Sequence, residues 1–268
     1  MSKSDEWKDL DNVNDYKDLV AKAKEVWRAR VKNGSYGNEK IQFKACETWF
    51  SDKCNEINLW TYWHGHGLTD FSNVKIMLVG QDWGNEDNEE DAVSRIKEML
   101  ENKRELYYDK ADKNNGKKLR NPTEQHLCEL FSCLEKKPGE KYDLSEYNSQ
   151  LFFTNYFLGY RSGSGTGNMT KKLLEEDKPA FEKLVDIVRP KVIICLGKIV
   201  SEMVIGSTIK GFKNKLDAGV ITANYPKHND IKVYCVGHCG RRGVSNRGGL
   251  AKMKKDWENI NEDMKRAN

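Results

Sequence analysis

Four short apolar runs constrain this chain most: Val74-Lys-Ile-Met-Leu-Val79, Leu151-Phe-Phe-Thr154, Val192-Ile-Ile-Cys-Leu196 and Val233-Tyr-Cys-Val236. Each has the length of a strand and is apolar on both parities, so neither of its faces suits water. Such strands belong in the middle of a sheet that is covered on both sides. Helical patterns separate them, at Ala92–Leu106, Thr123–Leu134, Pro179–Val188 and Ile199–Val204. Strands alternating with helices need crossover connections and therefore a largely parallel sheet. The expected fold class is α/β: a three-layer α/β/α sandwich around a four-stranded parallel sheet.

The flanks read as helical. Over residues 7–31, Tyr16, Leu19, Val20, Ala23, Val26 and Trp27 recur at three- and four-residue steps, and a second helix is expected over Gln42–Asn55. Asn121-Pro-Thr-Glu124 is a helix start, with Asn as cap and Glu placed to complete a capping box. Leu250, Met253, Trp257, Ile260 and Met264 form the apolar stripe of a terminal helix. The chain carries no internal repeat or long linker. The lysine-rich segment 110–120 and the run Arg161-Ser-Gly-Ser-Gly-Thr-Gly-Asn168 read as exposed loops. The expected organisation is a helical N-terminal extension, residues 1–70, packed on an α/β/α domain, residues 71–268.

With 38% hydrophobic and 32% charged residues the chain can bury a core under a densely charged surface. A net charge of +4 is too mild to identify a nucleic-acid binder, but Arg241, Arg242 and Arg247 cluster in one glycine-rich stretch. No apolar run approaches membrane-spanning length, and the N-terminus lacks the apolar core of a signal peptide. A cytoplasmic monomer without membrane contact is expected. The seven cysteines, an odd number set mostly in apolar patterns, read as reduced thiols.

In an open parallel sheet, ligands bind beyond the carboxyl ends of the strands, where loops and helix N-termini converge. Three of the four runs end there in polar residues: Gln81 and Asp82 after the first, Asn155 after the second, His238 after the last. A carboxylate, an amide and an imidazole would thus meet at one edge from distant parts of the chain.

This set resembles the uracil-DNA glycosylase superfamily. Gly80-Gln-Asp-Trp-Gly84 looks like a hybrid of that family's Gly-Gln-Asp-Pro-Tyr and Gly-Gln-Ala-Pro-Gly motifs. Leu151-Phe-Phe-Thr-Asn155 matches its strand ending in Asn, and Pro190-Lys-Val-Ile-Ile-Cys-Leu-Gly197 its Pro-Lys-Val-Ile-Ile-x-Leu-Gly strand. Val236-Gly-His-Cys-Gly-Arg-Arg-Gly243 is similar to its strand ending in His before a loop that wedges into DNA. The likeness runs from about Val74 to Arg247. It implies a glycosylase that flips uracil or a related damaged base out of DNA and hydrolyses its glycosidic bond, without metal or cofactor. Asp82 would orient water and offset positive charge on the sugar. His238 would donate to the base oxygen O2, where negative charge grows. Asn155 would read the base edge, Gln81 would share O2 through its backbone amide, and Trp83 and Gly84 would complete the base-binding turn. Arg241, Arg242 and Arg247 would contact DNA.

The sequence also departs from the pattern. Gly84 stands where a tyrosine blocks the thymine methyl, and Trp83 where proline is usual. The stacking aromatic has no clear counterpart, with Tyr107, Tyr108 and Tyr156 as candidates, and Cys239-Gly240 replaces the residues that normally follow the histidine. A catalytically silent nucleic-acid- or nucleotide-binding protein of the same fold, or a hydrolase of free nucleosides or nucleotides, is therefore an open alternative. Cys46, Cys54, His64 and His66 offer zinc ligands in a spacing that fits no common knuckle. Cys128 and Cys133 fall on a helical pattern, so no iron-sulfur cluster is expected. The run Gly163-Ser-Gly-Thr-Gly167 lacks the ending of a phosphate-binding loop.

Overall fold

The structure, a computed structural model, describes residues 6–32, 36–38, 41–44, 71–72, 74–82, 122–137, 140–141, 151–161 and 168–267. Its strands are β1 (Tyr36–Asn38), β2 (Ile41–Lys44), β3 (Ile76–Gly80), β4 (Glu135–Lys137), β5 (Glu140–Lys141), β6 (Leu151–Asn155), β7 (Tyr160–Arg161), β8 (Val192–Leu196), β9 (Ile221–Tyr225) and β10 (His228–Val236). Its helices are α1 (Tyr16–Arg30), α2 (Pro122–Phe131), α3 (Lys171–Leu174), α4 (Lys178–Val188), α5 (Lys198–Ile205), α6 (Phe212–Ala218), α7 (Arg241–Arg247) and α8 (Leu250–Ala267).

The four apolar runs lie in four adjacent strands of one mixed sheet, which has five strands rather than four, in the order β6-β3-β8-β10-β9. The first four are parallel, and β9 pairs antiparallel with β10. Every residue of β3 and β6 is buried, as their two-parity apolarity requires. The added strand, Ile221-Thr-Ala-Asn-Tyr225, escapes the apolar criterion because it leaves Thr222 and Asn224 exposed. Its hairpin also extends β10 back to His228, through polar residues that a search for apolar runs passes over.

Neighbouring residues of β10 show that both faces are covered, since side chains alternate across a strand. The Cys235 thiol hydrogen-bonds Ser201 of α5, whereas the Tyr234 hydroxyl donates to Asp263 of α8 at 2.7 Å. Helices α5 and α8 therefore lie on opposite sides. The terminal helix buries Met253, Trp257, Ile260 and Met264, as its stripe predicts.

At the N-terminus, Asp15 caps α1 by accepting the Asp18 amide at 2.8 Å, and the helix buries Tyr16, Leu19, Ala23, Val26 and Trp27. The expected helix Gln42–Asn55 is overturned at its start, where Ile41–Lys44 is a strand between β1 and β7. Phe43 explains the difference: it is fully buried with its ring 4.6 Å from that of Phe157, so tertiary packing overrides the local helical pattern. The N-terminal segment is accordingly part helix and part sheet.

One buried ion pair fastens this segment to the core. Arg30 Nη1 donates to Asp177 Oδ1 at 2.6 Å and its Nε to Glu6 at 2.9 Å, while its guanidinium lies 4.9 Å from the Trp27 ring centre. The other oxygen of Asp177 accepts the Leu158 amide at 2.9 Å, just past β6. Among the described residues, no helix is long and apolar enough to cross a membrane.

Candidate active site

The strand order sets where a ligand site is expected. The chain runs from β3 outward to β6, then returns across β3 to lay β8 on its other side, so the connections diverge above the β3–β8 boundary. That reversal of direction is where open parallel sheets hold their ligands. Neighbouring strands stand about 4.8 Å apart, so three steps place the ends of β6 and β10 about 14 Å from one another. Asn155 closes β6, Gln81 and Asp82 follow β3, and His238 follows β10.

Gly80 and Asn155 are register partners at the ends of β3 and β6. A Cβ on Gly80 would lie 2.1 Å from Asn155 Oδ1, so only glycine lets the buried amide lie across this backbone. Pairing continues past the strands, with the Tyr156 amide donating to the Gly80 carbonyl at 2.9 Å and the Phe157 amide to the Gln81 carbonyl at 3.0 Å. These bonds hold the start of the turn. The Gln81 side chain then donates to Asp82 Oδ1 at 2.7 Å, which fixes the half-buried carboxylate by its own neighbour.

His238 receives a hydrogen bond at Nδ1 from the Gly240 amide, at 2.9 Å. An amide can donate only to an unprotonated ring nitrogen, so the proton of the neutral imidazole sits on Nε2, which becomes a donor. His238 is exposed, yet protein crowds it closely enough that lost hydration lowers its pKa below the usual histidine value. Asp82 opposes that shift electrostatically, which brings the carboxylate and the imidazole into one field. Lost hydration dominates, which favours the neutral ring.

The segment after His238 is a short helix, α7, instead of an open wedge loop. Its approach depends on Gly243, because a Cβ there would come within 1.8 Å of the His238 carbonyl oxygen. From the other side, His126 of α2 uses Nδ1 to hold the Cys239 carbonyl at 2.6 Å. Cys239 is fully buried, and burial pushes its thiol up to about 12, so it is a packing residue and not a nucleophile. The sequence reading assigns no role to His126, and it takes Gly240 and Gly243 only as part of the loop after His238. The glycines at 237, 240 and 243 carried a signal of close backbone approach, whereas His126, alone in a helical pattern, carried none.

Two expectations are corrected. Arg247 cannot contact DNA as it stands: it is buried, with Nε and Nη2 bonded to the two oxygens of Asp256 at 2.6 and 2.7 Å and Nη1 bonded to Asp217 at 2.6 Å. The hydrogen bonds to Asp256 chiefly raise its pKa and keep it charged, so it acts as a clamp between α7 and α8. Tyr156 is withdrawn as a stacking aromatic, because it is buried and stacks on Phe181 at 4.5 Å. Arg241 and Arg242 are exposed at the start of α7. Cys133 follows α2 in a turn, where its amide bonds the Leu130 carbonyl at 3.0 Å.

Several candidates lie outside the described residues: Trp83 and Gly84, Tyr107 and Tyr108, the zinc ligands Cys46, Cys54, His64 and His66, the helix at 92–106, and the loops at 110–120 and 162–167. No protein-family model and no curated protein matches the chain.

Proposed function

We propose that this chain is a DNA glycosylase similar to the uracil-DNA glycosylases, which hydrolyses the N-glycosidic bond of uracil or a related damaged base flipped out of DNA. The observation that carries this reading is the state of His238. Its Nδ1 is occupied by the Gly240 amide and lost hydration favours the neutral ring, so Nε2 offers a proton donor within the electrostatic reach of the Asp82 carboxylate. Cleaving a glycosidic bond to a pyrimidine needs this pairing, because negative charge gathers on the base oxygen while the sugar becomes cationic. A preoriented donor stabilises the first charge without reorganising, and removing one such donor typically costs about 3 kcal/mol. Asp82, held by Gln81, stabilises the second charge and orients the attacking water.

Asn155 serves as the reader of the base edge, offering one donor and one acceptor to the uracil O4 and N3–H. Its placement over Gly80 supports a fixed orientation. The five-stranded mixed sheet with helices on both faces is compatible with the three-layer fold of that superfamily. In this reading Arg241 and Arg242 grip phosphates, and the reaction draws on side chains and water, with no metal or cofactor. The protein works as a monomer on DNA.

The deciding experiment is single-turnover formation of abasic sites in single- and double-stranded oligonucleotides containing uracil. Wild-type protein should cut the glycosidic bond, and Asp82→Asn and His238→Ala should each lose at least about a hundredfold in rate while remaining folded. Unchanged activity in both variants rejects the roles assigned. A second reading, a catalytically silent nucleic-acid or nucleotide binder, is favoured by the withdrawal of Tyr156 and Arg247 from the site. It predicts retained DNA or nucleotide binding with no abasic product from any base tested.

A further inference from the structure

The Cys239–Gly240 peptide joins two imidazoles. Its carbonyl oxygen is bound by His126 Nδ1 at 2.6 Å, and its amide, on the other side of the same planar unit, donates to His238 Nδ1 at 2.9 Å. A carbonyl can only accept, so His126 must carry its proton on Nδ1, and it does so whether the ring is neutral or charged. Drawing electron density toward the carbonyl makes the amide of that peptide a stronger donor, since the group is conjugated and hydrogen bonds in a chain polarise one another. We propose that His126 is a positioning residue for His238, acting through the Cys239–Gly240 peptide to hold the second ring as the Nε2–H tautomer. No side chain of His126 need touch a ligand for this. The geometry is also close around the bridge: a Cβ at Gly240 would lie 3.0 Å from His238 Nδ1 and 3.3 Å from Thr123 Oγ1, so α2 and the His238 turn meet at this peptide.

Among the described residues, the ionisable groups that act on the bridged ring are Asp82 beyond β3, through its charge, and His126 on α2, through the peptide, while Arg241 and Arg242 follow in the chain at the start of α7. Asp82 favours the charged ring, so the peptide bridge and desolvation act against it. The consequence for catalysis rests on the glycosylase reading, but the coupling of the two rings does not.

Nitrogen-15 NMR of histidine-labelled full-length protein tests it. In the wild type, His238 should show one tautomer, and a coupling should cross the hydrogen bond between the Gly240 nitrogen and His238 Nδ1. In His126→Leu the Nδ1–H tautomer should become populated and the His238 pKa should rise by roughly half a unit, the scale of a weakened hydrogen bond. His126→Asn, whose amide nitrogen reaches the place of Nδ1, should restore the wild-type pattern, which a purely space-filling role would not do. An unaltered His238 tautomer and pKa in folded His126→Leu overturns the proposal. So does the absence of the cross-bond coupling in the wild type, a measurement that stands even if the variant does not fold. If these shifts occur and no uracil is excised, the glycosylase reading fails alone. If uracil is excised at equal rates with His238 unchanged, the positioning role fails alone.

Discussion

Gly80 and Asn155 face each other at the ends of two parallel strands, with no room between them for a single added carbon: the Cβ of any other residue would fall 2.1 Å from the asparagine Oδ1. The site's amide is thus placed by backbone register and by the missing side chain opposite it. Gly80→Ala must displace either the strand end or Asn155. It should cost about 1–3 kcal/mol of stability by overpacking, read as a lower urea midpoint. The same variant should lose base discrimination in excision assays, while a surface change such as Lys255→Ala leaves both untouched.

The neutral His238 fixes the direction of the pH dependence. Because its folded pKa lies below the ordinary value, the unfolded chain binds the proton more tightly, and stability falls as pH drops from about 6.5 through the folded value. His238→Gln should flatten that part of the stability profile. The acid limb of the excision rate should have its midpoint below the usual histidine range.

Asp82 is the group that opposes this depression. Replacing it by asparagine should move the His238 titration further toward acid, by NMR, in protein that remains folded. An unchanged titration instead would place the carboxylate and the imidazole out of each other's influence and remove the pairing on which the proposed chemistry depends.

Salt dependence separates the two kinds of arginine. Asp256→Ala should destabilise the protein by about 3 kcal/mol, because it removes the carboxylate bonded to two nitrogens of the buried Arg247 guanidinium and leaves the half-exposed Asp217 to balance it. Arg241→Ala should leave the melting temperature nearly unchanged. On DNA it should weaken binding across all sequences and reduce the salt slope by about one.

The N-terminal attachment is equally open to measurement. Asp177 satisfies both Arg30 and the Leu158 amide, so Asp177→Ala leaves the buried Leu158 donor without its acceptor and Arg30 with Glu6 as its remaining carboxylate. A loss of about 3 kcal/mol is expected, with hydrogen exchange accelerating first in α1 and beyond β6.

What could be read from the sequence follows the physics of each part. β3, β6 and β8 announce themselves because burial on both faces demands apolar residues at every position. β9 does not, since its Thr222 and Asn224 face water, whereas β6 at the opposite edge is buried throughout. The strand over Ile41–Lys44 was hidden by a helical pattern that only the distant Phe157 overrules. Asp82, Asn155 and His238 were legible as polar punctuation at apolar strand ends. Arg247 was misread because a cationic cluster does not reveal which member turns inward, and its partner Asp256 stands nine residues along on another helix. His126 was invisible because its work is done through a carbonyl that no side-chain pattern encodes.

Gly243 shows how far a site's sequence constraints can extend beyond the groups that do chemistry. With the His238 carbonyl oxygen only 1.8 Å from where its first side-chain carbon would be, even alanine is refused. In a saturation library selected for function, this position should be as intolerant as an active-site residue. Judged by tolerance alone, a scaffold glycine would pass for a member of the reaction centre.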